Sequence, residues 1–479
     1  MAPVTCTTLD RTSLAVPPAD IEALAAAISG GIVTQRSDDY ESARKVWNGM
    51  VDRRPALIAR CRNASDVRGA VDLARERRLL VSVRSDGHHI AGNSVADGSL
   101  VIDLGAMKRV EIDPASRTAR VQPGALPVDF DREAQAHALA TPLGINSTTG
   151  VAGLCLGGGF GWLTRKHGMT IDNLLSAEIV TADGELRTVS ATQEPNLFWA
   201  IRGGGGNFGV VTSFEFRLHP VGPDVHAGLV VYPAAQARQV LRAWRDFTAS
   251  APEELSVWTV LRKAPPLPFL PESAHGENVV IFALVHAGEL AAGERAAAPV
   301  LKFGTPIGSP LGPTPYSAFQ AAFDPLLAPG ARNYWKSHNF ARLDERFLDL
   351  AIDAAAAAPG PECEVFIAHL GGAMGRVAPT DTAYAGRDAN YIMNIHGRWQ
   401  SAADDEAVRE WSRRLYADAA PFATGSGYVN FFTADEVERV AQAYGVNYAR
   451  LQEVKRRYDP DNLFRMNINV SPSAARAAA

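Results

Sequence analysis

Residues 81–90 read VSVRSDGHHI. A β-branched run breaks at Arg84, Ser85, Asp86 and Gly87, and two histidines, His88 and His89, follow at once. A neutral imidazole is both a nucleophile and a proton acceptor near pH 7. A glycine beside it lets the main chain come close to whatever is bound there. Glycine-dense text recurs twice, in 145–168 (INSTTGVAGLCLGGGFGWLTRKHG) and in GGGGNFG at 203–209. Runs of small residues expose N–H groups that can hold an anion. Segments 84–88 and 150–161 together suit a clamp on one pyrophosphate, and three such clusters in one half of the chain point to a large phosphate-bearing cofactor. Titratable side chains then appear in strand-like text further on: CEVFIAHLGG, NYIMNIHGRW and SGYVNFF. Strand alternation puts Val365, Ile367 and His369 on one face and Glu364, Phe366 and Ala368 on the other. By the same rule Tyr391 lies opposite Asn394 and His396.

These groups need elements to position them. Residues 19–32 read as a helix stopped by Gly30 and Gly31. ALIAR, a helix capped by Asn63 or Ser65 with Val67, Ala70, Val71 and Ala74 inward, and LLVSVRS form a β-α-β unit that delivers the histidines. Three short strands follow, two of them joined at a turn begun by Asp113. LLSAEIVTADGELRTVS is a hairpin about Asp183-Gly184. EPNLFWAIRGGGGNFGVVTSFEF is a helix, a glycine turn and a strand. From Val221 to about Thr424 strands alternate with helices such as AAQARQVLRAWRDFTAS and DEAVREWSRRLYADAA, which reads as a sheet backed by helices. The ending is a helix closed by Tyr458-Asp459-Pro460, then a short polar strand, then a frayed tail over 472–479.

Composition bounds the function. The chain has 479 residues, 47% of them hydrophobic, with a formal net charge of −5, which suits two or three packed units and no nucleic-acid partner. Its four cysteines are scattered and suggest neither zinc nor a disulfide framework, so no metal is expected. No basic-then-apolar leader and no membrane-length apolar run occur, so the expectation is a cytoplasmic protein without a membrane partner. Gly204 to Gly209 satisfies G-x-G-x-x-G, but a helix precedes it and a strand follows, the reverse of a nicotinamide fingerprint. There is no P-loop and no G-x-S-x-G elbow.

The text from PALIARC through VSVRSDGHH to LVIDLGAMKRVEID resembles the FAD-binding domain of the vanillyl-alcohol-oxidase (PCMH-type) superfamily. TTGVAGLCLGGGFGWLTRKHGMTIDNLLSAEIVTADGE, EPNLFWAIRGGGGNFGVVT and the ending YDPDNLFRMNINV are similar to its berberine-bridge-enzyme-like branch. The likeness is specific in the first 220 and last 50 residues and weak between. It implies an α+β fold: a PCMH-type FAD-binding domain over 35–220, a substrate domain with an antiparallel sheet backed by helices over 221–425, and a segment returning to the flavin over 426–470. It implies FAD bonded covalently through its 8α-methyl group to His88. Some members add a cysteine link to flavin C6; that position falls at Asn146 here, with Cys155 further on, so a single link is expected. The pattern usually has glycine where this chain has Asp86, whose carboxylate would repel a pyrophosphate unless it points away.

The cofactor contacts implied are Val83, Arg84, Ser85, Asp86, Gly87, His88 and His89; Gly144, Thr148, Thr149, Gly150, Gly153, Leu154, Gly158, Gly159 and Gly161; Asn173, Val210 and Val211; and Tyr428, Asn430, Asn467 and Asn469. The implied reaction is oxidation of a small organic metabolite (alcohol, amine, or phenolic or polyketide-like compound of secondary metabolism) by hydride transfer to flavin N5, with O₂ as acceptor. A proton acceptor must accompany the hydride; His369, Tyr391 and Tyr428 rank first for that role. A flavin dehydrogenase, an oxidative cyclase or oxygenase, a flavin-fold binding module and a nicotinamide dehydrogenase are the rival readings. Oligomeric state stays open, a homodimer being one candidate.

Overall fold

A computed structural model describes residues 3–472. The expected tail over 472–479 lies, but for its first residue, outside them. The class is α+β, as expected, with three main sheets.

The first sheet orders strands Ile32–Thr34, Leu57–Arg60, Leu100–Asp103 and Val81–Arg84. The two strands of the β-α-β unit are parallel but not adjacent; Leu100–Asp103 slots between them. The crossover helix Ala64–Glu76 starts where Asn63 accepts the Asp66 N–H, and its buried stripe is Val67, Ala70, Val71 and Ala74. A five-stranded antiparallel sheet follows, containing the hairpin Leu174–Val180 with Leu186–Ser190 and the strand Val210–Arg217.

The third sheet has seven strands, all antiparallel: Leu311–Pro315, Asp224–Pro233, Asn278–His286, Leu255–Lys263, Glu364–His369, Tyr391–Trp399 and Arg332–Phe340 in spatial order. Its outer face packs under helices Ala237–Thr248, Glu345–Ala356 and Asp405–Ala419, with Trp244, Phe347 and Leu415 against Phe282, Met393 and Ile395. Its inner face, carrying Trp258, Phe366, Ala368 and Ile392, joins one core with Phe160, Trp162 and Tyr428. Both faces are therefore dry, and the inner one looks toward the glycine-rich half.

The ending differs from expectation. Helix Tyr448–Tyr458 stops at Asp459, but no strand follows among the described residues. Side chains replace the ladder there: Asn207 accepts the Val470 N–H at 2.8 Å and donates to the Ile468 carbonyl at 3.0 Å. Among the described residues no helix is long and apolar enough to cross a membrane.

Candidate active site

The break after Val81–Arg84 is built around one ion pair. Arg84 does not reach outward; its guanidinium meets Asp103 at 2.6 Å and the Ala43 carbonyl, fastening the strand end. Ser85 donates to the Pro123 carbonyl at 2.6 Å. Gly87 turns the chain at φ +85°, where a side chain would be strained. The two histidines then diverge. His89 Nδ1 accepts the Ala91 N–H at 3.1 Å, and burial, helped by Arg53, pushes its pKa down to about 4. It is a neutral turn residue. His88 is stacked on Trp47, 4.4 Å between ring centroids, and its Nδ1 lies 3.3 Å from Asp86 Oδ2.

His88 and His89 both line one cleft. Val83, Ser85, Asp86, Gly87, Gly153, Val210, Val211, Asn430 and Asn467 line it as expected from the sequence. The cleft also takes in Asn93, Ser94, Gly205, Gly206, Gly209, Tyr444, Phe464, Met466 and Ile468, which the sequence reading left out. The glycine run at 203–209, one of the three clusters that point to a phosphate-bearing cofactor, is the signal for three of these. A buried ion pair backs the Phe464 lining: Lys455 Nζ lies 2.6 Å from Asp459 and donates to the carbonyls of Asn207 and Phe464 at 2.7 and 3.0 Å. Burial outweighs the Asp459 carboxylate and lowers the Lys455 pKa to about 8.

The other expected contacts lie outside this lining. Arg84 is the strut already described. Gly150 starts the short helix Val151–Leu156, so only Ala152, Gly153 and Leu156 of that segment face the cleft, and Leu154 does not. Gly158, Gly159 and Gly161 are tight-packing positions; a Cβ on Gly161 would meet the Leu143 carbonyl oxygen at 1.8 Å. Gly144, Thr148 and Thr149 belong to the turn before that helix, where Asn146 holds the Thr148 hydroxyl at 2.6 Å. Asn173 ties a corner by donating to the His167 and Met169 carbonyls. Asn469 turns to Ser471. Tyr428 is buried, its hydroxyl accepting from the Gly159 N–H at 3.2 Å and Asn430 Nδ2 at 3.0 Å, and burial raises its pKa.

The inner face of the seven-stranded sheet covers the His88 end. Trp335 sits edge-on to Trp47 at 5.6 Å and to Phe431 at 5.5 Å. Asn48 bridges the halves, donating to the carbonyls of Ile90 and Asn333. Beside Trp335, at 4.6 Å, stands His396. Its Nδ1 is 3.2 Å from Glu364 Oε1, and Glu364 Oε2 accepts from Arg262 at 2.7 Å. Burial pushes the Glu364 carboxyl up, but Arg262 and His396 hold it below its usual value. Burial lowers the His396 pKa against the pull of Glu364. On the same face Trp335 Nε1, Ser337 Oγ, Asn394 Oδ1 and Arg398 Nη1 are buried without a hydrogen-bond partner. Such atoms are costly unless something polar meets them.

His369 and Tyr391 are the correction. They are on the outer face, with Met393 and Ile395, and turn away from the cleft. His369 Nε2 is 2.6 Å from Arg165 Nη1, and the Tyr391 hydroxyl is 2.8 Å from that of Thr248. They border a separate cavity with Glu253, Arg245 and Asn390. Alternation assigned the pairs of faces properly, but the choice of face was reversed.

The cleft suits FAD on its own terms. Ser94 Oγ and Asn467 Oδ1 are buried polar atoms with no partner, and a Cβ on Gly153 would find nothing within 4 Å. Comparison with known proteins agrees. Residues 55–190 match an FAD binding domain, and 427–471 match the family described as berberine and berberine like. The (R)-6-hydroxynicotine oxidase of Paenarthrobacter nicotinovorans is 31% identical over 460 residues, covering 94% of this chain and 98% of that protein. The chain belongs to the berberine-like family of FAD-linked oxidoreductases. An FAD-linked oxidoreductase of Dictyostelium discoideum is also 31% identical, over 93% of this chain and 95% of its own length. The crystal structure of 6-hydroxy-D-nicotine oxidase from Arthrobacter nicotinovorans superposes with a TM-score of 0.84 at 30% identity, covering 93% and 99% of the two chains. The fold is thus the PCMH-type expected, and the protein is an FAD-dependent oxidoreductase.

Proposed function

We propose that this berberine-like flavoprotein is an oxidase whose FAD is bonded once, to His88, and whose substrate is a small organic alcohol, amine or phenolic metabolite. The observation that carries the reading is the cleft itself, lined by His88, whose imidazole is stacked on Trp47, which in turn meets Trp335 of the seven-stranded sheet. Bound FAD supplies a two-electron acceptor that takes a hydride equivalent at N5 and passes the electron pair to O₂, giving H₂O₂.

The chain's own residues do the rest. The His88 loop, Gly205 and Gly206, Asn430 and Asn467 would hold the cofactor. Trp335, Phe431 and Trp47 exclude water from the His88 end. Trp335 Nε1, Ser337, Asn394 and Arg398 would orient a polar substrate. His396 would receive the substrate proton: Glu364 takes the hydrogen bond of Nδ1–H, and Nε2, 3.4 Å from Asn333 Oδ1, becomes the acceptor once substrate displaces that contact.

Acid precipitation of the purified protein tests the tether. Flavin should stay with the wild-type pellet and leave that of His88→Ala; flavin released from the wild type refutes the bond. Anaerobic reduction by substrate, then exposure to air, tests the acceptor. Rapid reoxidation with H₂O₂ is expected, whereas slow reoxidation would make the protein a dehydrogenase.

A further inference from the structure

We propose that Asp86 is a positioning residue for the covalent attachment of FAD to His88, occupying a place where the family pattern leads one to expect glycine; the proposal rests on the tether reading above. The carboxylate grips the histidine twice. Asp86 Oδ1 accepts the His88 backbone N–H at 3.3 Å, and Oδ2 lies 3.3 Å from His88 Nδ1. The ring's face is fixed independently by Trp47, at an interplanar angle of 20°. The carboxylate is also housed. Its Oδ1 would lie 2.6 Å from a Cβ on Gly150, so the absence of a side chain at that position leaves the room that Asp86 fills. The side chains of His88 and Asp86 are 13% and 19% exposed, which limits screening of their interaction by water. The carboxylate therefore faces the imidazole, and the repulsion expected of it toward a pyrophosphate is redirected into a use.

A carboxylate at Nδ1 selects the tautomer with its proton there and leaves the lone pair on Nε2. Bond formation needs that lone pair. A C–H bond of the flavin 8α-methyl group breaks with loss of a proton, a nitrogen–carbon bond forms to His88, and the electron pair passes through the flavin to O₂, which leaves as H₂O₂. Alkylation makes the ring cationic until its second proton departs, and Asp86 neutralises that charge where it arises.

A simpler role would be the turn alone, because an aspartate that accepts the N–H two residues on is a common turn device. Asn keeps that bond and lacks the charge; Glu keeps the charge. Full-length apoprotein from riboflavin-starved cells is mixed with FAD, quenched in acid over time, and the flavin in the precipitate measured. Asp86→Asn should slow covalent incorporation roughly tenfold to a hundredfold, the span of a lost charge-assisted hydrogen bond. Asp86→Glu should recover part of the rate. Non-covalent FAD binding, measured in the His88→Ala background with and without Asp86→Asn, should be equal. Incorporation in Asp86→Asn at the wild-type rate would overturn the role of Asp86 while leaving the tether intact. Equal slowing in both variants, with weakened binding in the His88→Ala background, would overturn the role of Asp86 in bond formation, because the side chain would then act only through the shape of the flavin site. Wild-type protein that never retains flavin would overturn the tether and this proposal together.

Discussion

His396 and His369 sit on neighbouring strands of one sheet, yet they meet opposite environments. His396 stands edge-on to Trp335 on the inner face, with Glu364 at its Nδ1. His369 faces Arg165 under the helices, and burial with that cation drives its pKa well down. The two should therefore separate kinetically. With any substrate that reduces the wild type, His396→Asn should lower the anaerobic rate of flavin reduction on the order of 10²-fold, the usual weight of a positioned base. His369→Gln should leave that rate nearly unchanged. Stopped-flow absorbance of the flavin band reads both; an unaffected rate in His396→Asn would remove it from the proton path. Tyr428 should behave as a support. Tyr428→Phe strands the Gly159 N–H and leaves the Asn430 amide with only the Leu154 carbonyl, and should cost roughly 1–3 kcal/mol in denaturant unfolding.

Between elements, two cations fasten the cleft and its surroundings. Lys455 clamps the helix Tyr448–Tyr458, the glycine turn and the C-terminal segment at a fully buried point. Lys455→Met would leave Asp459 charged and buried, a loss of about 3–5 kcal/mol. Because Phe464 and Asn467 line the cleft on that segment, FAD affinity should fall too, and titration of apoprotein with FAD measures it. Lys455→Met with Asp459→Leu should recover much of the stability, since an apolar pair leaves no stranded charge. Arg165 reaches from the glycine-rich half to the carbonyls of Leu255, Ala251 and Leu370 beside the outer face of the seven-stranded sheet. These elements also show what a sequence can and cannot carry. The helix Ala64–Glu76 was legible because its cap and stripe are local, and the hairpin at Asp183-Gly184 because its turn chemistry is. Alternation gave the partition of side chains within each strand, and the strand register brings Glu364 and His396 together. It could not say which face meets the cofactor half, because both faces are buried and equally apolar: Tyr391, Met393 and Ile395 on one, Phe366, Ala368 and Ile392 on the other. The strand expected near Asn467 fails to form for a similar reason. Its backbone is satisfied by Asn207, distant in sequence, so no local pattern records it.

Across the whole molecule, buried neutral histidines make acid the condition under which the fold weakens first. His338 is the clearest case. It stacks on Tyr416 at 4.1 Å, donates from Nε2 to the Tyr416 carbonyl at 2.8 Å, and keeps Nδ1 buried with no partner. Burial lowers its pKa to about 4, with Arg439 adding to the effect, against an ordinary value of 6.5. His89 and His219 are likewise held at about 4. Below pH 6.5 the unfolded chain binds protons that the folded chain refuses, so stability is complete above 6.5 and is lost as pH falls toward 4. For His338 alone the full loss is on the order of 3 kcal/mol. Urea unfolding of the holoenzyme between pH 7 and pH 5 should show the decline in a range where most carboxylates are still ionised. His338→Gln keeps an N–H for the Tyr416 carbonyl and cannot titrate. It should start less stable, because the stacked ring is gone, yet lose less on going from pH 7 to pH 5. A slope equal to that of the wild type would mean that His338 can take up a proton in place, and that the acid sensitivity of the sheet's outer face lies with other groups.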